Sequence, residues 1–151
     1  MNNSHFTVCG IVEINGKVLI VRHTYGTAKD RVLLPGGYVS EGELPTVAVE
    51  REIAEETGVI AKAKSVMAVQ CKPDQWCLVF VMEYIRGTPR SDAFENSEVL
   101  LVPAAEAIKR DDITNMSREL LTAYESGDCA VLQKSDYVPA STDAEHYVLF
   151  E

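Results

Sequence analysis

The sequence predicts a mixed α+β or α/β sandwich. Two observations lead there. Apolar runs rich in β-branched residues come in neighbouring pairs, Phe6 to Ile14 with Lys17 to His23 and Ala63 to Gln70 with Trp76 to Ile85. Helical segments stand between and after those pairs, which argues for sheet and helix packed in layers. With 151 residues, 46% of them hydrophobic and 25% charged, the chain suits one domain, residues 1–151, with its own core.

Each element has a local reason. Asn15-Gly16 between the first two runs is a strong hairpin signal, because both residues tolerate the left-handed backbone of a tight turn. Thr24 to Arg31 is polar and reads as a loop, followed by a short strand from Val32 to Leu34. Leu44-Pro45 opens a helix of about Pro45 to Thr57, since a proline at the first helical position lacks an N–H that would have had no partner. Gly58 suits the position just past its end. Leu44 stands where a Ser, Thr or Asp would cap the helix, so Glu43 or Glu41 is expected to accept from its first amides. The second pair of strands is joined at Lys72-Pro73-Asp74, and Trp76 to Ile85 is too apolar to be exposed on both faces. Gly87 to Asn96 reads as a loop, Glu98 to Pro103 as a short strand, and Ala104 to Lys109 as a helical turn or two. Thr114 or Asn115 starts a last helix reaching Glu125. The tail from residue 127 to 151 is ambiguous: His146 to Phe150 forms a final strand or clasps a partner subunit in a homodimer.

Composition narrows the function. The formal charge of −9 and the lack of clustered Lys and Arg disfavour DNA or long RNA, whereas a small phosphorylated ligand arriving with a cation is compatible. Cys9, Cys71, Cys77 and Cys129 show no metal-type spacing and read as buried thiols. No apolar run is long enough for a membrane span, and the N-terminus lacks a charged segment followed by an apolar one, which points to the cytoplasm.

One stretch carries the chemistry. Gly37 is followed after five residues by Glu43, and after seven more by Arg51-Glu52-Ile53-Ala54-Glu55-Glu56-Thr57-Gly58-Val59. On the helix, Glu52, Glu55 and Glu56 stand at i, i+3 and i+4, so three carboxylates share one face. A bare Glu-x-x-Glu-Glu is most often a solvated acidic face. The whole spacing, however, resembles the Nudix box, with every specified position filled and Leu33-Leu34-Pro35-Gly36-Gly37 leading in. Like charges at this spacing oppose helix formation by roughly 0.2–0.5 kcal/mol per pair, which a bound cation would offset. Hard oxygen donors with no nearby His or Cys to complete a softer site favour Mg²⁺ or Mn²⁺ over Zn²⁺.

The resemblance covers Leu33 to Val59 as a matched motif and Phe6 to about Glu125 in arrangement. It implies the Nudix fold, an α+β protein built as an α/β/α sandwich with a mixed β-sheet between helices, and metal-dependent hydrolysis of a pyrophosphate in a nucleoside diphosphate derivative. By position, Glu55 and Glu56 would be the principal metal ligands, Glu52 a ligand or general base, and the Gly36 carbonyl a further contact. The family also takes its base from outside the box; Glu95 and Glu98 are the candidates here, and Glu98 is preferred. Glu43 and Arg51 read as an ion pair that holds the loop to the helix and aims Glu52. Among cations near the box, Arg31 is the first choice for phosphate, with Arg22 and Lys29 behind it. Tyr25, Tyr38 or Trp76 could stack on base or ribose, although a lone Trp at the start of an apolar strand is more often core. His23 reads as structural. Pro73, fifteen residues after Gly58, resembles a marker proline of the ADP-ribose-cleaving branch. ADP-ribose or a related nucleotide sugar is therefore the expected small-molecule substrate, with nucleoside triphosphates as the nearest rival and a non-catalytic nucleotide sensor as the rival from another class. RNA decapping is disfavoured by the acidic balance, and an isomerase would need Cys71 or Cys77 placed over its substrate.

Overall fold

A computed structural model describes the backbone of residues 2–151 and side chains from residue 5 onward. Two sheets form the body of the molecule. The larger has five strands in the order β5 (Gly36–Ser40), β1 (Asn2–Ile11), β7 (Gln75–Arg86), β6 (Ile60–Lys72) and β9 (Leu132–Gln133). It is mixed: β1 runs parallel to β7, and the other neighbours are antiparallel. In the smaller sheet β3 (Lys17–His23) pairs with β2 (Glu13–Ile14), β4 (Val32–Leu33) and β8 (Asn96–Val102).

The Asn15-Gly16 turn forms as expected, with φ of 51° and 80°, but the strand before it is not continuous. The chain leaves the larger sheet after Ile11 and enters the smaller one at Glu13. Buried Val12 marks the crossing, and its carbonyl accepts from the Leu19 amide at 3.0 Å. Alternating burial does not reveal a change of partner sheet, so the sequence read one strand where there are two.

Helix α1 (Pro45–Thr57) has the expected bounds, with Pro45 at its start and Gly58 closing it in the left-handed region. No side chain caps it at Leu44. Glu43, proposed for that task, instead accepts from the Ser40 amide at 2.9 Å and binds Arg51. The apolar face of α1, Ala48, Val49 and Ile53, packs with Val8, Val39, Val66 and Phe80. A second core gathers Ile11, Val18, Ile20, Val32 and Val79 with α2 (Ala104–Ala107) and α3 (Asn115–Ser126). Thr114 caps α3, its hydroxyl accepting from the Ser117 amide at 3.4 Å. Strands β6 and β7 run further than the sequence indicated, from Ile60 and to Arg86.

The tail lies on the chain's own sheet. Leu132 and Gln133 pair with Val66 and Ser65. Phe150 bridges back to Lys134, and its ring meets Phe80 edge-on at 5.8 Å between centroids. All four cysteines are free; Cys77 is buried and Cys9 and Cys129 partly so, but Cys71 is exposed, contrary to expectation, because it lies beside the turn that closes the β6–β7 hairpin. Among the described residues no helix is long and apolar enough to cross a membrane.

Candidate active site

The site forms where α1 passes over the Pro35-Gly36-Gly37 turn into β5. A Cβ at Gly37 would overlap the Glu52 carboxylate, and one at Gly36 would overlap the Val8 carbonyl. Glycine at both positions lets the helix carry its acids down against the backbone. Glu56 is buried at 3% exposure. Its Oε1 accepts a long hydrogen bond, 3.4 Å, from the Gly36 amide, and its Oε2 is buried with no partner. Burial, and then the neighbouring Glu52, push its pKa up to about 8. Burial also raises the pKa of Glu52, against the opposing pull of Arg51.

Arg51 gathers the acidic face. Its Nε and Nη2 grip Glu43 at 2.7 and 2.9 Å, a two-pronged pairing that matches the guanidinium fork. Its Nη1 reaches Glu52 at 2.9 Å and Glu55 at 3.3 Å, and Nη2 also donates to the Tyr38 carbonyl at 3.1 Å. The Arg51 hydrogen bond holds Glu43 below the usual carboxylate range. Glu55 stays outside, its side chain 60% exposed.

Glu95 completes a cluster in which one oxygen each from Glu52, Glu56 and Glu95 lies within 4.8 Å of the others. The loop before β8 is built to hold it there. Asp92 Oδ1 accepts from the amides of Phe94, Glu95 and Asn96 at 2.9, 3.0 and 3.1 Å. Buried Asn96 donates to the Glu56 carbonyl at 2.8 Å, and the Thr24 hydroxyl donates to the Phe94 carbonyl at 3.0 Å. Asp92, Asn96 and Thr24 were not singled out from sequence; an Asp a few residues before an acid, in a loop, was the available signal.

Glu98, the acid preferred from sequence, is elsewhere. It lies on β8 opposite Arg22 and binds that guanidinium at 2.8 Å. Arg22 also reaches Asp112 at 3.0 Å, so both charges belong to a structural network. Arg31 donates from Nη2 to the Ile113 carbonyl at 2.7 Å, and its Nε is buried without a partner.

An open cleft of about 920 Å³ runs from this cluster across the larger sheet. Tyr25 and Tyr38 line it, and Tyr25 stacks on His23 at 5.3 Å. Arg22, Arg31 and Lys29 do not line it; the only Lys and Arg among its described lining residues are Arg51 and Lys72. Trp76 is 54% exposed, hence not core, and lies outside the cleft. It meets Phe6 edge-on at 6.2 Å beside a separate apolar cavity of about 290 Å³. Successive residues of a strand face opposite ways, so Cys77 takes the cleft side that Trp76 does not.

A buried carboxylate with an idle oxygen, facing two further acids at the mouth of a cleft, is a donor set for a hard cation. Known proteins resemble the chain. An ADP-ribose pyrophosphatase of Methanocaldococcus jannaschii is 40% identical over 86 residues, covering 53% of this chain; the chain thus spans about half, 51%, of that relative's length. A NUDIX hydrolase structure from Nitrosomonas europaea superposes with a TM-score of 0.75 at 23% identity, covering 85% of this chain and 73% of that one. A MutT NUDIX hydrolase structure from Burkholderia pseudomallei gives 0.70 at 20% identity, covering 78% and 95%. These two likenesses speak for the fold. The NUDIX domain family model matches residues 1–124, most of the chain, and the protein belongs to that family.

Proposed function

We propose that the protein hydrolyses the pyrophosphate linkage of a nucleoside diphosphate derivative, ADP-ribose or a related nucleotide sugar, with Mg²⁺ or Mn²⁺. The observation that carries this reading is the buried Glu56 carboxylate, one of whose oxygens is idle, clustered with the carboxylates of Glu52 and Glu95. A carboxylate in that position is stabilised as the anion only when a cation shares the site. Glu52, Glu56 and Glu95 fit the group, with Glu55 at the rim; the Gly36 carbonyl, on the residue whose amide meets Glu56, is the further contact that the family resemblance implies. A divalent cation bound there would neutralise charge on the phosphate oxygens and make a bound water more acidic.

The chain's own groups then divide the work. Arg51 holds Glu52 in place and is itself held by Glu43. Water attacks one phosphorus, the bridging P–O bond breaks, and the water's proton passes to a carboxylate. Glu95 is favoured as that base over Glu98, because Glu95 faces the cluster while Glu98 is bound to Arg22. Glu52 is the second candidate. From ADP-ribose the products would be AMP and ribose 5-phosphate. The substrate class rests on the name of the archaeal relative and on the cleft's length beyond the acids.

The test is product release from ADP-ribose, sugar nucleotides, dinucleoside polyphosphates and nucleoside triphosphates, with Mg²⁺, Mn²⁺ or EDTA. Metal-dependent cleavage of ADP-ribose or a sugar nucleotide is the expected result. Preferred cleavage of triphosphates would overturn the substrate, and binding without turnover would overturn the hydrolase.

A further inference from the structure

Two of the four cysteines, distant in sequence, meet on the floor of the cleft. In the parallel pairing of β1 with β7, Thr7 stands opposite Cys77 and Cys9 opposite Val79. Residues in register, and those two further along a strand, project from the same face of a sheet. Thr7, Cys9 and Cys77 therefore form one group, and all three line the cleft. The two thiols are in contact, one donating toward the other, and the Thr7 hydroxyl also reaches the Cys77 sulfur. Both thiols are free, Cys77 buried and Cys9 partly so, and neither is spent on a disulfide. Cys9 lies opposite Gly36, whose amide meets Glu56, which puts the pair beside the turn that seats the acid cluster.

Nothing in the proposed hydrolysis uses these sulfurs. Their chemistry complements that of the carboxylates: oxygen donors select hard cations, whereas a pair of thiolates selects a soft one of the Zn²⁺ or Cd²⁺ kind. Two thiolates at about 2.3 Å from a tetrahedral ion stand about 3.8 Å apart. Two sulfurs already in contact reach that separation by turning their side chains, without a change of strand register. Binding sends the two thiol protons to water. It leaves two thiolates against two positive charges, a neutral set that suits so little exposure. Four protein ligands make a closed structural site; two sulfurs with at most the Thr7 hydroxyl leave positions open to the cleft, so the ion is exchangeable. We propose that Cys9 and Cys77 form a two-thiolate site for an exchangeable thiophilic divalent cation, separate from the carboxylate site for Mg²⁺ or Mn²⁺. The inference goes beyond the hydrolase reading and does not depend on it.

Titrating the reduced protein with Cd²⁺ in excess Mg²⁺ tests the site, because the ultraviolet charge-transfer absorbance of a cadmium thiolate reports sulfur ligation and is silent for carboxylates. A chain carrying Cys71→Ser and Cys129→Ser serves as the parent, so that the other two thiols do not contribute. The absorbance is expected to saturate at one Cd²⁺ per chain and to persist when Mg²⁺ is raised further. Cys9→Ser and Cys77→Ser, each added to that parent, should weaken binding by at least about tenfold, since losing a ligand costs no less than the roughly 10–100-fold that follows loss of a ligand's supporting hydrogen bond. If a serine variant misfolds, the native chain decides: Cd²⁺ should slow alkylation of Cys9 and Cys77 by iodoacetamide and leave exposed Cys71 unchanged, as read by peptide mass spectrometry. No saturable thiolate absorbance, its displacement by Mg²⁺, an unchanged dissociation constant in either folded variant, or protection of Cys71 in place of the pair would overturn the proposal. Cadmium binding at the pair in a protein that turns over no nucleotide would support the thiol site and sink the hydrolase reading instead.

Discussion

Glu43 and Arg51 meet through two parallel contacts of 2.7 and 2.9 Å, and the same guanidinium carries on to Glu52. The pair fastens the loop after β5 to α1 and also sets where a site carboxylate points. Arg51→Lys keeps the charge but loses the fork. It should lower stability by about 2 kcal/mol, roughly 4–8 °C in Tm, and activity by about 10–100-fold. Thermal melts and kcat/KM for the variant decide it; an unchanged Tm would mean the pair does not hold the loop.

Replacing Glu56 removes a buried carboxyl that, without metal, must either take up a proton or stay as an unpaired anion. Metal-free Glu56→Gln should melt higher than the parent, by roughly 2–4 °C for each kcal/mol of relieved desolvation. Saturating Mn²⁺ should stabilise the parent by about 2.7 kcal/mol at a hundred times its Kd and the variant hardly at all. Melting curves with EDTA and with Mn²⁺ measure both effects, and an equal Mn²⁺ response in the two proteins would remove Glu56 from the metal site.

Glu95 and Glu98 are separable by one pair of substitutions. Glu95→Gln should reduce kcat by roughly two to four orders of magnitude if it takes the proton. Glu98→Gln should leave kcat within a few fold and act mainly on stability, since it weakens the contact with Arg22. The opposite ranking in steady-state assays would restore the acid preferred from sequence.

Gly37→Ala brings a methyl group onto the Glu52 carboxylate. Overpacking of this kind destabilises by about 1–3 kcal/mol, and here it also displaces Glu52. Loss of most activity with a still cooperative melt is expected. Full activity in the alanine variant would show that Glu52 need not lie against the turn.

Asp112 gives the pH prediction. Its contact with Arg110, and then with Arg22, lowers its pKa from 3.8 to about 2. A carboxyl whose folded value is depressed contributes stability above its unfolded value and loses that contribution as pH falls through the folded one. The contribution should be complete above about pH 4 and vanish toward pH 2. Asp112→Asn should therefore flatten the acid limb of the denaturation profile in that window; an unchanged limb would show that the pairs stabilise nothing.

Local chemistry made much of this legible in advance. Pro45 and Gly58 bound α1 in sequence as in space, Asn15-Gly16 turns the chain, and Thr114 caps α3. What stayed hidden depends on how distant elements meet. Val12 looks like any buried strand residue, yet the chain changes sheets there. Glu95 and Glu98 are equivalent as letters; the three amides converging on Asp92 turn the first toward the cluster, while the register of β3 with β8 sets the second against Arg22. Trp76 and Cys77 are neighbours whose sides of the sheet follow from pairing with β1. Arg31 looked free for phosphate because its tertiary partner, the Ile113 carbonyl, lies far along the chain.

The parallel pairing of β1 with β7 also sets an order of events at the ribosome. Phe6 lies opposite Trp76, about 70 residues later, so at 5–20 residues per second the first strand is made roughly 4–14 s before its central neighbour. For that interval Val8, buried in the finished protein, has only the short β5 edge to pair with, and Ile11, equally buried, has no strand partner. The N-terminal strand is thus the part of the nascent chain most in need of shelter, and its pairing with β7 cannot be completed until residue 81 has emerged.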